Sequence, residues 1–197
     1  MTKRLFDLCA SGTGLLMLLP LFLIISVAIK LDSRGPVFFR QERVGWYGKP
    51  FRIHKFRTMV VEAEMHGMQI TVGADPRVTR VGAFLRRNKL DELPQLIDVL
   101  LGTMSLVGPR PEVPRYVACY PDEVRDLVLS VRPGITDRAS IEFKNENEIL
   151  GNAEDPQKAY IEQVLPIKLN YYLDYAKNRS LVGDIRIIFS TLVAILR

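Results

Sequence analysis

The stretch Leu90-Asp91-Glu92-Leu93-Pro94 sets two adjacent carboxylates between the cations Arg86, Arg87 and Lys89 and an apolar run of helical period. Two readings compete there. In one, Asp91 is a helix N-cap, Glu92 complements the first turn, and Pro94 is tolerated at the helix start. In the other, the pair does chemistry. A hard divalent cation such as Mg2+ takes carboxylate and phosphate oxygens together. An aspartate can attack phosphorus and form an acyl phosphate, while arginines offset charge on the transferring group. A helix start also attracts anions. Local spacing leaves both readings open.

Further cations stand in rigid settings. Gly108-Pro109-Arg110-Pro111 and Arg132-Pro133-Gly134 each fix an arginine beside proline, which reduces the entropy lost when that arginine grips an anion. Lys55 and Arg57 lie close together in His54-Lys55-Phe56-Arg57-Thr58-Met59. Each turn alone reads as an ordinary surface turn. Together they suggest a polyphosphate site, since arginine suits bidentate phosphate contacts. There is no P-loop, no Gly-x-Gly-x-x-Gly and no serine nucleophile elbow. His54 and His66 lack metal-ligand spacing and read as core or surface residues. Cys9 and Cys119 indicate neither a disulfide framework nor a metal site, which fits a reduced, cytoplasmic setting.

The elements that must position these residues begin with a membrane segment. The 197 residues are 48% hydrophobic, with a mean hydropathy of +0.08, and the apolar excess is concentrated. Leu8 to Ile29 carries no charge, long enough to cross a bilayer. A signal peptide fits poorly, because no small-residue cleavage site follows. Pro20 stands near the middle of the run, where a kink is expected. Both flanks are basic, with Lys3 and Arg4 before it and Lys30, Arg34, Arg40 and Arg43 after it. Basic flanks belong on the cytoplasmic side, so a bent hairpin that enters and leaves by one face satisfies both ends. A spanning helix is the alternative. The net charge of +5 favours an anionic partner such as lipid headgroups or phosphorylated small molecules. No aromatic-basic platform, zinc motif or helix-turn-helix points to nucleic acid.

The remainder reads as one compact mixed domain. Two extended runs flank the turn Trp46-Tyr47-Gly48-Lys49-Pro50. Residues 59–70 read as a short helix or loop. Val78, Val81, Phe84 and Leu85 have helical spacing. So do Leu93, Leu96, Ile97, Leu100 and Leu101, stopped by Gly102. Leu169, Tyr172, Leu173 and Ala176 mark another helix. The last has an apolar face of Ile185, Ile188, Phe189, Leu192, Ile195 and Leu196, which suits core packing or a membrane interface. The polar stretch 142–158 reads as a solvated loop.

Taken together, "FDLCASGTGLLMLLPLFLIISVAIKLDSRGPVFFRQERVG", "KFRTM", "LDELPQLIDVLLGTMSLVGPRP" and "VRPGIT" resemble the bacterial sugar transferase family of small monotopic phosphoglycosyl transferases. The resemblance covers nearly the whole chain. It implies an α+β, mostly helical fold: a re-entrant helix-break-helix at residues 1–30, and a cytosolic catalytic domain at 31–197 with a short β-hairpin and interfacial amphipathic helices. The implied reaction moves a phosphosugar from a UDP-sugar to undecaprenyl phosphate and releases UMP, opening surface-glycan assembly at the cytoplasmic face of the bacterial inner membrane. By the same resemblance Asp91 is the nucleophile, Glu92 the second acid, and Mg2+ the cofactor held at Asp91 and Glu92. Lys55, Arg86, Arg110, Arg132 and Asp184 match positions around the phosphates, and Pro20 matches the helix break. Two departures stand out. Leu19 precedes the membrane proline where many relatives have serine, and Asp137-Arg138-Ala139-Ser140 replaces Gly-Leu-Ala-Gln. The second leaves the sugar open. The oligomeric state is also open, a homodimer included. A non-catalytic, membrane-anchored phosphate- or lipid-binding scaffold is the alternative function; it would need no acid pair beside its cations.

Overall fold

The computed structural model describes residues 2–61, 75–143, 146–151 and 153–196. Most of the segment 59–70, with His66, lies outside them. The chain is mostly helical. Helix α1 (Thr2–Asp32) runs through Pro20 without interruption, so the break expected at that residue is not an end of the helix. Proline deletes its own N–H donor and crowds the preceding turn, yet the turns on either side continue the helix. Ser26 Oγ donates to the Phe22 carbonyl at 2.6 Å just beyond it. At 1.5 Å per residue the helix is roughly 46 Å long.

One stripe of α1 lies along the rest of the molecule. Asp7, Ser11, Phe22, Ile25 and Ile29 are buried, and Leu15 and Leu18 pack between them, the three- and four-residue spacing of a single helix face. The opposite face is apolar and open: Leu16, Met17, Leu19, Leu23, Ile24, Val27 and Leu31 are each more than half exposed. Among the described residues, α1 is the one helix long and apolar enough to cross a membrane.

Both ends of α1 are tied down. At its start, Lys3 pairs with Asp184, and the Asp7 carboxylate accepts from Ser105 Oγ at 2.9 Å and Leu106 N–H at 3.2 Å. At its end, Arg57 donates to the Ser33 carbonyl at 2.8 Å and to Arg34. Asp32 accepts from Val81 N–H at 3.0 Å.

Strands β1 (Phe38–Val44) and β2 (Pro50–Phe56) form the expected antiparallel hairpin, in register from Phe38↔Phe56 to Val44↔Pro50. Its turn places Tyr47 and Gly48 at positive φ. Phe56 packs edge-on to Phe22 at 5.2 Å and stacked with Phe38 at 5.5 Å. This cluster, with Leu85, Leu90 and Leu93, seats the dyad turn on α1; each apolar side chain so buried contributes ~1.5–3 kcal/mol.

Helix α2 (Arg80–Arg87) is capped by Thr79, whose Oγ1 accepts from Gly82 N–H. Val78 stands outside it, bridged to Met59, and Phe84 faces outward at 60% exposure. Helix α3 (Gln95–Leu101) ends at Gly102, φ +87°. The sequence gives no warning of the next pair. Strands β3 (Ser105–Val107) and β4 (Gly134–Thr136) are parallel, joined through Ser105↔Gly134 and Val107↔Thr136.

Helices α4 (Pro114–Val117), α5 (Asp122–Leu129), α6 (Arg138–Glu142) and α9 (Leu165–Asn178) enclose a second core around Tyr116, Tyr160 and Tyr172. The stretch 142–158 is not a loop throughout. It contains α7 (Glu146–Gly151) and α8 (Pro156–Ala159). Leu150 is fully buried and Glu146 pairs with Lys168 at 2.5 Å; these inward contacts outweigh the polar composition. Helix α10 (Leu181–Leu196) keeps Val182, Ile185, Phe189, Leu192 and Ile195 about half exposed or more, while Ile187 turns inward. The apolar face read from the sequence is therefore outside the core.

Candidate active site

Asp91 does not cap a helix. Leu90–Glu92 form a single 3-10 turn entered from Lys89, which has φ +55°, and α3 starts only at Gln95; neither start uses a side-chain cap. Lys89 is thus a non-glycine residue in the left-handed region, where the chain turns sharply out of α2 into the dyad. The Asp91 side chain is left without structural duty. It is 9% exposed, and its carboxylate has no hydrogen-bond partner among the described residues.

Glu92 is the opposite case. Arg110 grips it with both Nη groups, Nη1 donating to Oε2 at 3.0 Å and Nη2 to Oε1. Lys55 Nζ donates to Oε1 at 2.8 Å. Lys55 projects from β2, and Arg110 from the proline-flanked turn after β3. Arg86 at the end of α2 also acts on both carboxylates through space, and Arg43 acts on Glu92.

The electrostatics separate the two acids. Burial, and then the negative Glu92, raise the Asp91 pKa; Lys55, Arg86 and Arg110 act against that rise. Burial would raise Glu92 as well, but the charges and hydrogen bonds of Arg110 and Lys55 overcome it and hold Glu92 well below the usual range. A pair pushed in opposite directions assigns different roles to its members. Glu92 stays ionised and organises cations. Asp91 is a more basic carboxylate facing a positive field, which suits a nucleophile for an anionic phosphorus centre.

Of the residues singled out from the sequence, Asp91, Glu92, Lys55, Arg86 and Arg110 come together. Arg132 does not join them: its Nε donates to the Gly102 carbonyl at 3.1 Å and its guanidinium lies 4.1 Å from the Trp46 ring centre. Asp184, 1% exposed, is bonded to Lys3 and to Tyr175 Oη at 3.0 Å. Arg57 clamps the end of α1. His54 Nδ1 lies 2.7 Å from Asp98 Oδ1, a pairing within the fold. Sequence reasoning missed Thr58, whose Oγ1 accepts from Arg86 Nε at 2.8 Å. Its only signal was a hydroxyl three residues after Lys55.

The family description "Bacterial sugar transferase" matches residues 1–197. The chain is 41% identical over 196 residues to the UDP-N-acetylgalactosamine-undecaprenyl-phosphate N-acetylgalactosaminephosphotransferase of Aeromonas hydrophila, covering 98% of this chain and 43% of that one. It is 40% identical over 193 residues to the UDP-glucose:undecaprenyl-phosphate glucose-1-phosphate transferase of Escherichia coli (strain K12), covering 96% and 39%. With the exopolysaccharide production protein PSS of Rhizobium leguminosarum bv. phaseoli it shares 40% over 198 residues, 98% of this chain and 94% of that one. The chain thus spans less than half of the first two relatives and nearly all of the third. On the full-length match and these identities, the chain belongs to the bacterial sugar transferase family.

Proposed function

We propose that the protein transfers a sugar 1-phosphate from a UDP-sugar to undecaprenyl phosphate in two displacements at Asp91. In the first, an Asp91 carboxylate oxygen bonds to the sugar-bearing phosphorus. The bond from that phosphorus to the bridging oxygen breaks, and UMP leaves with that oxygen and its electron pair. In the second, a phosphate oxygen of undecaprenyl phosphate attacks the same phosphorus. The acyl-phosphate bond breaks, Asp91 is restored, and undecaprenyl diphosphate-sugar is formed. The observation that carries this reading is the Asp91 carboxylate, which has no hydrogen-bond partner among the described residues and lies in the field of Lys55, Arg86 and Arg110, while Glu92 engages Lys55 and Arg110 directly. A scaffold that only bound phosphate would have no use for a free carboxylate there.

Lys55, Arg86 and Arg110 bind the diphosphate and offset the charge that builds on the leaving phosphate. Glu92 keeps Lys55 and Arg110 in place between turnovers. The acid pair also fits a Mg2+ ion. Among the described residues there is no group of three or more His, Cys, Asp or Glu side chains that could cage a metal, but Mg2+ bound with substrate phosphates needs only one or two carboxylates. Asp91, with Glu92 beside it, would hold it. When bound, the ion neutralises charge on the diphosphate.

The same reading places residues 1–30 in one leaflet, at the cytoplasmic face of the inner membrane, with 31–197 as the catalytic domain. Support comes from α1: Lys3 and Asp7 at one end, and Asp32 at the other, all bind the same globular body, while the open side of the helix is apolar. A helix crossing the bilayer would carry one end about 30 Å away from that body. Cysteines at residues 2 and 33 should label from the same side; labelling from opposite sides would rule this topology out. Relatives are named for N-acetylgalactosamine and for glucose, so both UDP-sugars are first substrates to try.

The decisive experiment is Asp91→Asn. It should abolish UMP release from a UDP-sugar in the presence of undecaprenyl phosphate, and mass spectrometry of the parent protein should find the phosphosugar on the Asp91 peptide. Normal turnover by the variant would refute the assignment.

A further inference from the structure

We propose that Thr58 is a positioning residue that aims Arg86 at the substrate phosphate, and that Arg86 is the arginine left free to receive it. The inference rests on the phosphosugar-transfer reading and says which cation meets the incoming diphosphate first. Lys55 and Arg110 are both engaged by Glu92. Arg86 makes no ion pair within 4 Å among the described residues. It acts on Asp91 and Glu92 through space.

Among the described residues, one side-chain hydrogen bond holds the Arg86 guanidinium. Its Nε donates to Thr58 Oγ1 at 2.8 Å. A guanidinium is planar and carries five N–H donors in a fixed fork. Fixing Nε therefore sets the plane and leaves the four Nη hydrogens for a ligand. Bidentate phosphate recognition needs those two Nη groups, correctly turned.

Thr58 is itself held. It is 7% exposed, its carbonyl accepts from Thr79 N–H at 3.0 Å, and α2 presses on it at Gly82, where an added Cβ would lie 2.0 Å from that carbonyl oxygen. The first turn of α2 thus rests on the Thr58 backbone and the last turn, through Arg86, on its hydroxyl. The exit of β2 thereby supplies the site twice: Lys55 directly and Arg86 through Thr58. Holding a charged group within a fraction of an ångström in this way is what pre-organised sites require.

Thr58→Val replaces the hydroxyl by a methyl of similar shape; Thr58→Ser keeps the acceptor. The full-length protein is assayed for kcat/KM of UMP release with UDP-glucose or UDP-N-acetylgalactosamine, and for affinity for UDP alone. Thr58→Val should lose about 10- to 100-fold in kcat/KM, the loss expected of one hydrogen bond to a charged group, and should bind UDP more weakly. Thr58→Ser should retain most of both. In an Arg86→Ala background Thr58→Val should add no further loss, because its effect passes through Arg86. Should Thr58→Val not fold, Thr58→Ala carries the same comparison. Parent-like Thr58→Val, Thr58→Ser as impaired as Thr58→Val, or an equal loss in the Arg86→Ala background would each overturn the proposal. A parent-like Arg86→Ala would instead count against the phosphate reading on which it rests.

Discussion

Arg110 and Arg132 both come from Arg-Pro turns with a glycine close by, and the fold lays the two turns against each other. Gly134 N–H donates to the Pro109 carbonyl at 2.9 Å, and Ser105 N–H to the Pro133 carbonyl at 2.8 Å. A Cβ on Gly134 would lie 2.1 Å from Gly108 N, and one on Gly108 would lie 2.4 Å from the Arg132 carbonyl oxygen. Backbones this close share one frame, yet the arginines part. Arg110 turns to Glu92, whereas Arg132 turns to Trp46 at the tip of the hairpin. A proline-flanked arginine is rigid in its backbone only; the partner that reaches it decides whether it serves the site or the scaffold. A partly buried carboxylate claims Arg110, and an aromatic face claims Arg132.

The difference predicts unequal consequences. Arg110→Ala should cut kcat by about 100- to 1,000-fold, the range for losing one pre-organised electrostatic contact, since it removes a proposed phosphate partner and strips Glu92 of its bidentate grip. Arg132→Ala should change kcat less than about threefold, the residue having no contact with the dyad. UMP-release rates for the two variants check this, and equal losses would break the comparison.

The contrast also marks what could be read from the sequence. Asp91-Glu92 was legible because the pair is contiguous and flanked by cations within five residues. The hairpin was legible because Tyr47-Gly48-Lys49-Pro50 is local turn chemistry. The pairing of β3 with β4 was not. Each strand is three residues long, and what joins them is a close glycine-to-glycine approach across the chain, which leaves no periodic trace. The sequence likewise placed Arg132 with the phosphates, since nothing near it announces Trp46. The period of α10 was plain, but period alone does not say which medium covers its apolar face.

The shared frame offers a second test. Gly134→Ala would force a methyl into the Gly108 backbone, where no flexible side chain can give way, and should cost about 3 kcal/mol, or roughly 6–12 °C in Tm for a chain of this size. Both turns should suffer together. A variant with unchanged Tm would mean that the two turns are not locked to each other.

Acid titration separates the arginines by a different route. The proposed nucleophile must be ionised, so kcat/KM should fall as pH drops through the Asp91 pKa. Burial and Glu92 place that pKa above the ordinary aspartate value of 3.8. Glu92→Gln removes a neighbouring negative charge, so the residual activity should keep its acid limb at lower pH than the parent's. Removing Arg110 takes away a cation that lowers the Asp91 pKa, and the limb should move to higher pH. Arg132→Ala should leave the limb where it is. A shift on removing Arg132 would place that residue within electrostatic reach of the dyad.

The smallest effect expected is the stability cost of Arg132→Ala itself. Its guanidinium lies on the Trp46 ring and donates to the Gly102 carbonyl, the residue that ends α3. Trp46 Nε1 in turn donates to the Ser130 carbonyl at 3.0 Å, so the contact pins the hairpin tip to the segment that leads into β4. An exposed cation–aromatic contact contributes ~0.5–1 kcal/mol and a hydrogen bond a similar amount, so the variant should lose about 1–2 kcal/mol, or roughly 2–8 °C in Tm. Arg132→Lys should recover little of it, because an ammonium neither stacks flat on indole nor keeps the planar fork. Trp46→Leu should produce a loss of the same size, and the double variant should lose less than the sum of the two. Full additivity would mean that ring and guanidinium act independently, and that the hairpin does not hold Arg132 away from the dyad.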